Sequence, residues 1–249
     1  MEHIGAIMIR ETFLQNSSTV ESLLEIGPGA SPIFAGSSVE YFDVMSADEL
    51  RQRFSEHGAP IGNVPEHIHH VSRTANLADV DKKFAFAASS HNIEHQPNLV
   101  KHLQDVANLL EDNGAYLLII PDKRYCFDHF VPETTLPDIL GAYLENRTVH
   151  SARAVVADRI LTGHNDAHRH WAGDHGAPKG HLFYPAAEEE WKKSEGGYID
   201  VHAWQFTPDT FTRILFQLRE LGLNPFLTDF VGETPHNRFE FCARLVKAP

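Results

Sequence analysis

Cysteine is nearly absent from this 249-residue chain, and the two that occur, Cys126 and Cys242, stand in no metal-binding or redox spacing. They offer no disulfide framework, and such sparse use suits a reducing compartment. Long apolar runs are missing as well. No stretch reaches the roughly 18 apolar residues that cross a bilayer, and the opening MEHIGAIMIRETFLQ has no basic start followed by an apolar run. A soluble, cytoplasmic protein is therefore expected. Positive charge is scarce: 21 Lys and Arg stand against 34 Asp and Glu, a formal net charge of −13. That balance argues against a broad nucleic-acid footprint, which needs a clustered Lys/Arg surface, although a basic acceptor pocket stays open. Repeats and low-complexity tracts are also lacking.

What remains is an ordinary globular composition, 42% apolar and 22% charged, in a chain long enough to bury a full core. One α/β domain carrying an insertion is expected. SLLEIGPGA reads as a strand over about residues 21 to 26 running into a glycine turn, and VEYFDV as a second strand ending at Asp43 and Val44. Ser46 and Glu49 form a capping box at the start of the next helix. A short strand is expected near HIHHVS. FAFAASS (84–90) is a near-continuous apolar run, as in a strand covered on both faces. Leu99, Val100, Leu103, Val106, Ala107 and Leu110 then recur at helical spacing, with Asn113-Gly114 as the stop, before the buried strand AYLLIIP. Far downstream, Thr207 and Pro208 open a helix striped by Phe211, Ile214, Leu215, Leu218 and Leu221 and ended at Gly222. NPFLTDF and RFEFCARLV close the chain as two strands. Their connection is too short for a parallel crossover, so the last should run antiparallel.

Two motifs carry chemistry. In SSHNIEHQPN (89–98), His91, Glu94 and His95 have the H-x-x-E-H spacing that in a helix holds zinc beside a glutamate base. Here the motif directly follows a strand and precedes Pro97, so it should form the exit turn of that strand, and no metal is expected on it. In EIGPGAS (25–31), Gly27 and Gly29 sit at the end of the first strand, where open α/β sheets bind ligands. A dinucleotide fingerprint would place a third glycine where this chain has Pro32, which counts against NAD and FAD. Glu25 suits a ligand with an ammonium group, and Asp43, ending the second strand, is positioned for a ribose diol. An adenosine joined to an amino acid meets these constraints.

With E-I-G-P-G, Asp43, the S-S-H-N-I-E-H-Q-P-N segment and the closing hairpin, the chain resembles the class I S-adenosylmethionine (SAM)-dependent methyltransferases over about residues 20 to 121 and 205 to 247. The resemblance implies a Rossmann-like α/β fold: a seven-stranded, mostly parallel sheet with an antiparallel last strand, helices on both faces, and an insertion after the fifth strand. Residues 1–121 would be the cofactor-binding half, 122–204 an acceptor-binding insertion or lid, and 205–249 the helix and hairpin that complete the domain. It further implies SAM as cofactor, with Glu25, Gly27, Pro28 and Gly29 bordering the methionine, Asp43 on the ribose, Leu77 near the adenine, and Ser90 and His91 beside the sulfonium. Glu94 and His95 would then be structural.

The insertion is rich in His and aromatic residues. Lys123 and Arg124, with Tyr125, are candidate acceptor contacts, since Arg presents a planar fork to an anion; pairing with Asp122 and Asp128 at a solvated surface is the alternative. GHNDAHRHWAGDHGAPKGH (163–181) could hold a divalent ion, form a lid carrying a base, or be a polar surface loop. His202 is the first candidate for a general base in O-methylation, with Asp200 orienting it and His170 as second choice. A sugar, glycan or other hydroxylated small molecule is the favoured acceptor. A homodimer through an apolar face of the insertion stays open, as do two other functions: an NAD-dependent nucleotide-sugar oxidoreductase or epimerase, and a non-catalytic binding protein on the same fold.

Overall fold

The computed structural model describes residues 10–16 and 21–249. A short helix, α1 (Arg10–Asn16), precedes the sheet. The strands are β1 (Leu23–Ile26), β2 (Val39–Asp43), β3 (His70–Val71), β4 (Phe84–Ser90), β5 (Leu110–Pro121), β6 (Phe226–Val231) and β7 (Glu240–Lys247). They form one sheet in the order β3-β2-β1-β4-β5-β7-β6. The first five pair in parallel, whereas β7 runs antiparallel to both β5 and β6. This is the Rossmann-like arrangement expected, with its antiparallel terminal hairpin.

The period-2 alternation of β5 shows how the core is divided. Tyr116, Leu118 and Ile120 enter the larger core, while Leu117 and Ile119 enter a smaller one on the opposite face. The larger core receives the stripes of α3 (Leu99–Leu109), α4 (Leu136–Leu144) and α8 (Pro208–Glu220), including Leu103, Ile139 and Leu215. The smaller is covered by Phe13 of α1 and Phe34 of the β1–β2 connection, which crosses residues 27–38 without a helix. Ser46 and Glu49 make the expected capping box on α2 (Ala47–Glu56). Helix α3 stops earlier than its stripe suggested. Leu110 is already β-paired with Phe84, and Asn113 takes a left-handed φ of 62° within the extended β5 segment.

Between β5 and β6 the chain forms α4, α5 (Ala152–Leu161), α6 (Ala167–Trp171) and α7 (Tyr184–Lys193) before α8. Val155, Ile199 and Val201 build a separate small core with Trp191 of α7. The segment returns to the sheet at Phe206, which bridges to Asp122 at the end of β5. Among the described residues, no helix is long and apolar enough to cross a membrane.

Candidate active site

A cavity of about 700 Å³ opens at the carboxyl ends of β1, β2 and β4, the position and size typical of a small-molecule site. Its floor is the glycine turn after β1. Gly27 has φ +69°, a conformation that favours glycine, and a Cβ there would lie 2.5 Å from Asn92 Nδ2 unless that side chain moved. Asp43, buried at the end of β2, faces the same space. Burial raises its pKa; the backbone N–H groups of Met45, Val44 and Gly29 and the charge of Arg53 pull the other way. Leu77 reaches the wall from a short 3₁₀ turn whose cap is Asn76, accepting from the N–H of Ala78. His91 stands at φ 48° where β4 ends, donates its backbone N–H to Ile119 O, and bonds through Nε2 to Glu240 at 2.7 Å.

Of the residues expected at the cofactor, Gly27, Gly29, Asp43, Leu77 and His91 line this cavity. Glu25, Pro28 and Ser90 do not. The Glu25 carboxylate turns to the β1–β2 loop and accepts the N–H groups of Ile33 and Phe34 at 2.8 and 3.0 Å. Burial pushes its pKa up to about 7 against those two bonds and the charge of Arg10. Its position is thus that of a loop anchor, not of an ammonium contact.

A second cavity, of about 300 Å³, lies between the end of α3's approach and the helices after β5. Thr134, Arg147, His150, His202 and Gln205 line it, and Pro97 belongs to the walls of both cavities. Thr148 and Val149 face the larger cavity while the next residue, His150, faces the smaller. His150 is buried, yet among the described residues neither ring nitrogen has a hydrogen-bond partner. Burial first, then the neighbouring His95, His202 and Arg147, lower its pKa to about 4 in spite of Asp200, so it is a neutral imidazole at pH 7. Nothing in the spacing around His150 distinguishes it; only its place in the cavity wall does.

His202 also borders the smaller cavity, but its partner is Asp128, whose Oδ2 stands 2.6 Å from Nδ1, and not Asp200. Burial opposes a proton on His202, yet Asp128, Glu94 and Asp158 outweigh it and raise the pKa to about 9. In this state it is a donor rather than the free base expected. Asp200 instead faces the larger cavity, 3.0 Å from His95 Nδ1 and 3.3 Å from Arg53. The close contact and charge of His95, against burial, hold its pKa down at about 2. His170 lines neither cavity. It belongs to a stack with His129, His164 and His175, in which Nε2 bonds to His164 O and Nδ1 to His175.

The proposed acceptor contacts are likewise engaged elsewhere. Lys123 Nζ donates to His129 O. Arg124 forks onto the fully buried Asp122, which also accepts from Thr234. Tyr125 stacks on Trp171 at 4.0 Å and 7°. None of the three lines either cavity. Each is engaged by a partner within the protein, and a buried carboxylate such as Asp122 demands its cation.

No protein-family model matches the sequence, and no curated protein matches it. Among solved structures, the chain is similar to an S-adenosylmethionine-dependent methyltransferase from Clostridium acetobutylicum, with 10% identity, TM-score 0.47, and coverage of 96% of this chain and 89% of that one. It is similar to magnesium protoporphyrin IX methyltransferase of Synechocystis with SAM bound, at 13% identity, TM-score 0.42, and coverage of 96% and 79%. A third similarity, to the CcbJ methyltransferase of Streptomyces caelestis, has 16% identity and TM-score 0.34, and covers 47% of this chain and about half, 52%, of that one.

Proposed function

We propose that this chain is a SAM-dependent methyltransferase, with SAM in the larger cavity and a hydroxylated small molecule, of the sugar or glycan class, in the smaller one. The observation that carries the reading is Asp43. It is a buried carboxylate at the end of β2, facing a cavity whose floor is a turn of two positive-φ glycines. One carboxylate can accept from both hydroxyls of a ribose. Gly27 and Gly29 would carry the amino-acid end of the cofactor, Leu77 would pack on the adenine, and His91 would border the sulfonium. When bound, SAM supplies an electrophilic methyl group.

Residues 122–204 act in this reading as the acceptor-binding insertion. The acceptor hydroxyl would be held in line with the methyl carbon and sulfur, so that positioning supplies much of the rate. Transfer of the methyl group to that oxygen would leave S-adenosylhomocysteine, and His150 would accept the hydroxyl proton. A neutral imidazole with both nitrogens free is suited to that task.

Calorimetric titration of cofactor-free protein with S-adenosylhomocysteine tests the reading. Micromolar binding that disappears in Asp43→Ala supports it and justifies a screen of sugars as acceptors. Binding of NAD with none of S-adenosylhomocysteine would replace it with the oxidoreductase reading.

A further inference from the structure

The wall between the two cavities contains an unsatisfied buried carboxylate. Glu94 is fully buried, and neither of its oxygens has a hydrogen-bond partner among the described residues. Such a group is costly unless a cation answers it. Around Oε1 stand His95 Nε2 at 3.9 Å and His202 Nε2 at 3.8 Å, with His91 Nδ1 at 3.7 Å. These separations are too long for hydrogen bonds, so a proton on any of the nitrogens leaves Glu94 unsatisfied. They are close to what two ligands of one ion require. Bonds of about 2.0–2.2 Å to zinc place neighbouring ligand atoms roughly 3.3–3.6 Å apart.

We infer that Glu94, His95 and His202 are the ligands of a divalent transition-metal ion, bound between the two cavities with a coordination position left for water or an acceptor oxygen. The three offer ligand atoms within 4.8 Å of one another. His202 is supported as metal ligands characteristically are, by a carboxylate bonded to the far ring nitrogen, and His95 has a carboxylate beside the same atom. Asp128 bonds His202 Nδ1 at 2.6 Å, and Asp200 stands 3.0 Å from His95 Nδ1, in ion-pair range though off the hydrogen-bond line. In both rings it is Nε2 that faces Glu94, and the ion would take the place of the proton that His202 otherwise carries there. Their rings meet edge-on, at 88° and 4.6 Å, which lets two in-plane lone pairs converge. The backbone clamps the two segments together, since Ala203 N donates to Glu94 O at 2.7 Å and Trp204 Nε1 to Gln96 O at 2.7 Å. Two imidazoles and one carboxylate favour zinc, iron or cobalt over magnesium or calcium, which prefer oxygen donors.

The other histidine cluster lacks these features. His129 and His175 are stacked at 3.8 Å with planes only 11° apart, so their in-plane lone pairs run side by side and do not converge. The H-x-x-E-H segment thus contributes two ligands, Glu94 and His95, but as a turn completed by a histidine 107 residues further on, and not as a zinc-binding helix.

The test needs no cofactor. Tag-free protein stripped with a chelator is titrated calorimetrically with Zn²⁺, beside Glu94→Gln, His202→Asn and His170→Asn. One zinc per chain is expected, with affinity falling at least ~100-fold in the first two variants and unchanged in His170→Asn. Should the Glu94 or His202 variants fail to fold, X-ray absorption of the zinc-loaded wild type decides, and the expected inner shell is two imidazoles plus oxygen. No zinc retained at micromolar concentration, a shell of three or more imidazoles, or binding lost in His170→Asn but kept in Glu94→Gln overturns the inference.

Discussion

The two cavities are built by different means. The larger is assembled from the ends of neighbouring parallel strands, so that Gly27, Asp43 and His91 converge because β1, β2 and β4 lie side by side. The smaller is assembled by long-range polar contacts among helices and loops: His202 finds Asp128 across 74 residues, and Gln205 N finds Thr134 across 71. A sheet edge therefore places its groups by backbone periodicity, whereas a helical insertion places them by whichever charges must be satisfied.

If the comparison holds, damage to the shared core should affect both cavities and damage at either site only one. Leu103→Ala, in the larger core under β4 and β5, should cost about 2–5 kcal/mol, read as a lower urea midpoint with unchanged slope. Asp43→Ala should weaken S-adenosylhomocysteine binding by about 10²–10³-fold through lost charged hydrogen bonds, while the melting temperature moves little. His150→Gln should leave that affinity intact and slow methyl transfer about 100-fold, the low end for general base catalysis because so weak a base has little driving force. Equal losses of cofactor affinity in the Asp43 and His150 variants would break the distinction between the cavities.

The smallest effect concerns the sheet side alone. His102 is buried against Tyr116 OH at 3.0 Å, and burial, with a lesser contribution from Lys101, lowers its pKa to about 3. The folded protein keeps it neutral while the unfolded chain takes up a proton below the ordinary value of 6.5. Stability from this group is thus complete above pH 6.5 and is lost as pH falls toward 3, by about 2 kcal/mol between pH 6.5 and 5. His102→Gln should flatten that acid-side slope in urea unfolding measured at the two pH values; an unchanged slope would show that other groups carry it.

The sheet half was legible because each element announces itself locally. The near-continuous apolar runs FAFAASS and AYLLIIP, the Ser46–Glu49 box and the Thr207-Pro208 start all act within a few residues. The place of the glycine turn and Asp43 at the cavity is legible the same way, from their positions at strand ends. Glu25 was misread because its two amide partners lie in an irregular loop, eight and nine residues on, whose path no spacing encodes. Lys123, Arg124 and Tyr125 lie off both cavities, engaged by His129 O, Asp122 and Trp171, which no local pattern announces. His150 carried no signal: an ordinary histidine becomes notable only when both nitrogens are buried without partners.

By itself, the sequence determined the order and type of the sheet elements and the position of the glycine turn, since apolar period, capping and glycine's φ freedom are properties of a few adjacent residues. Only the tertiary structure decided which histidines stand with which carboxylates. Those pairings, Glu94 with His95 and His202 above all, arise where burial removes water from charges far apart in the chain and leaves each to be answered by whatever the packing brings beside it.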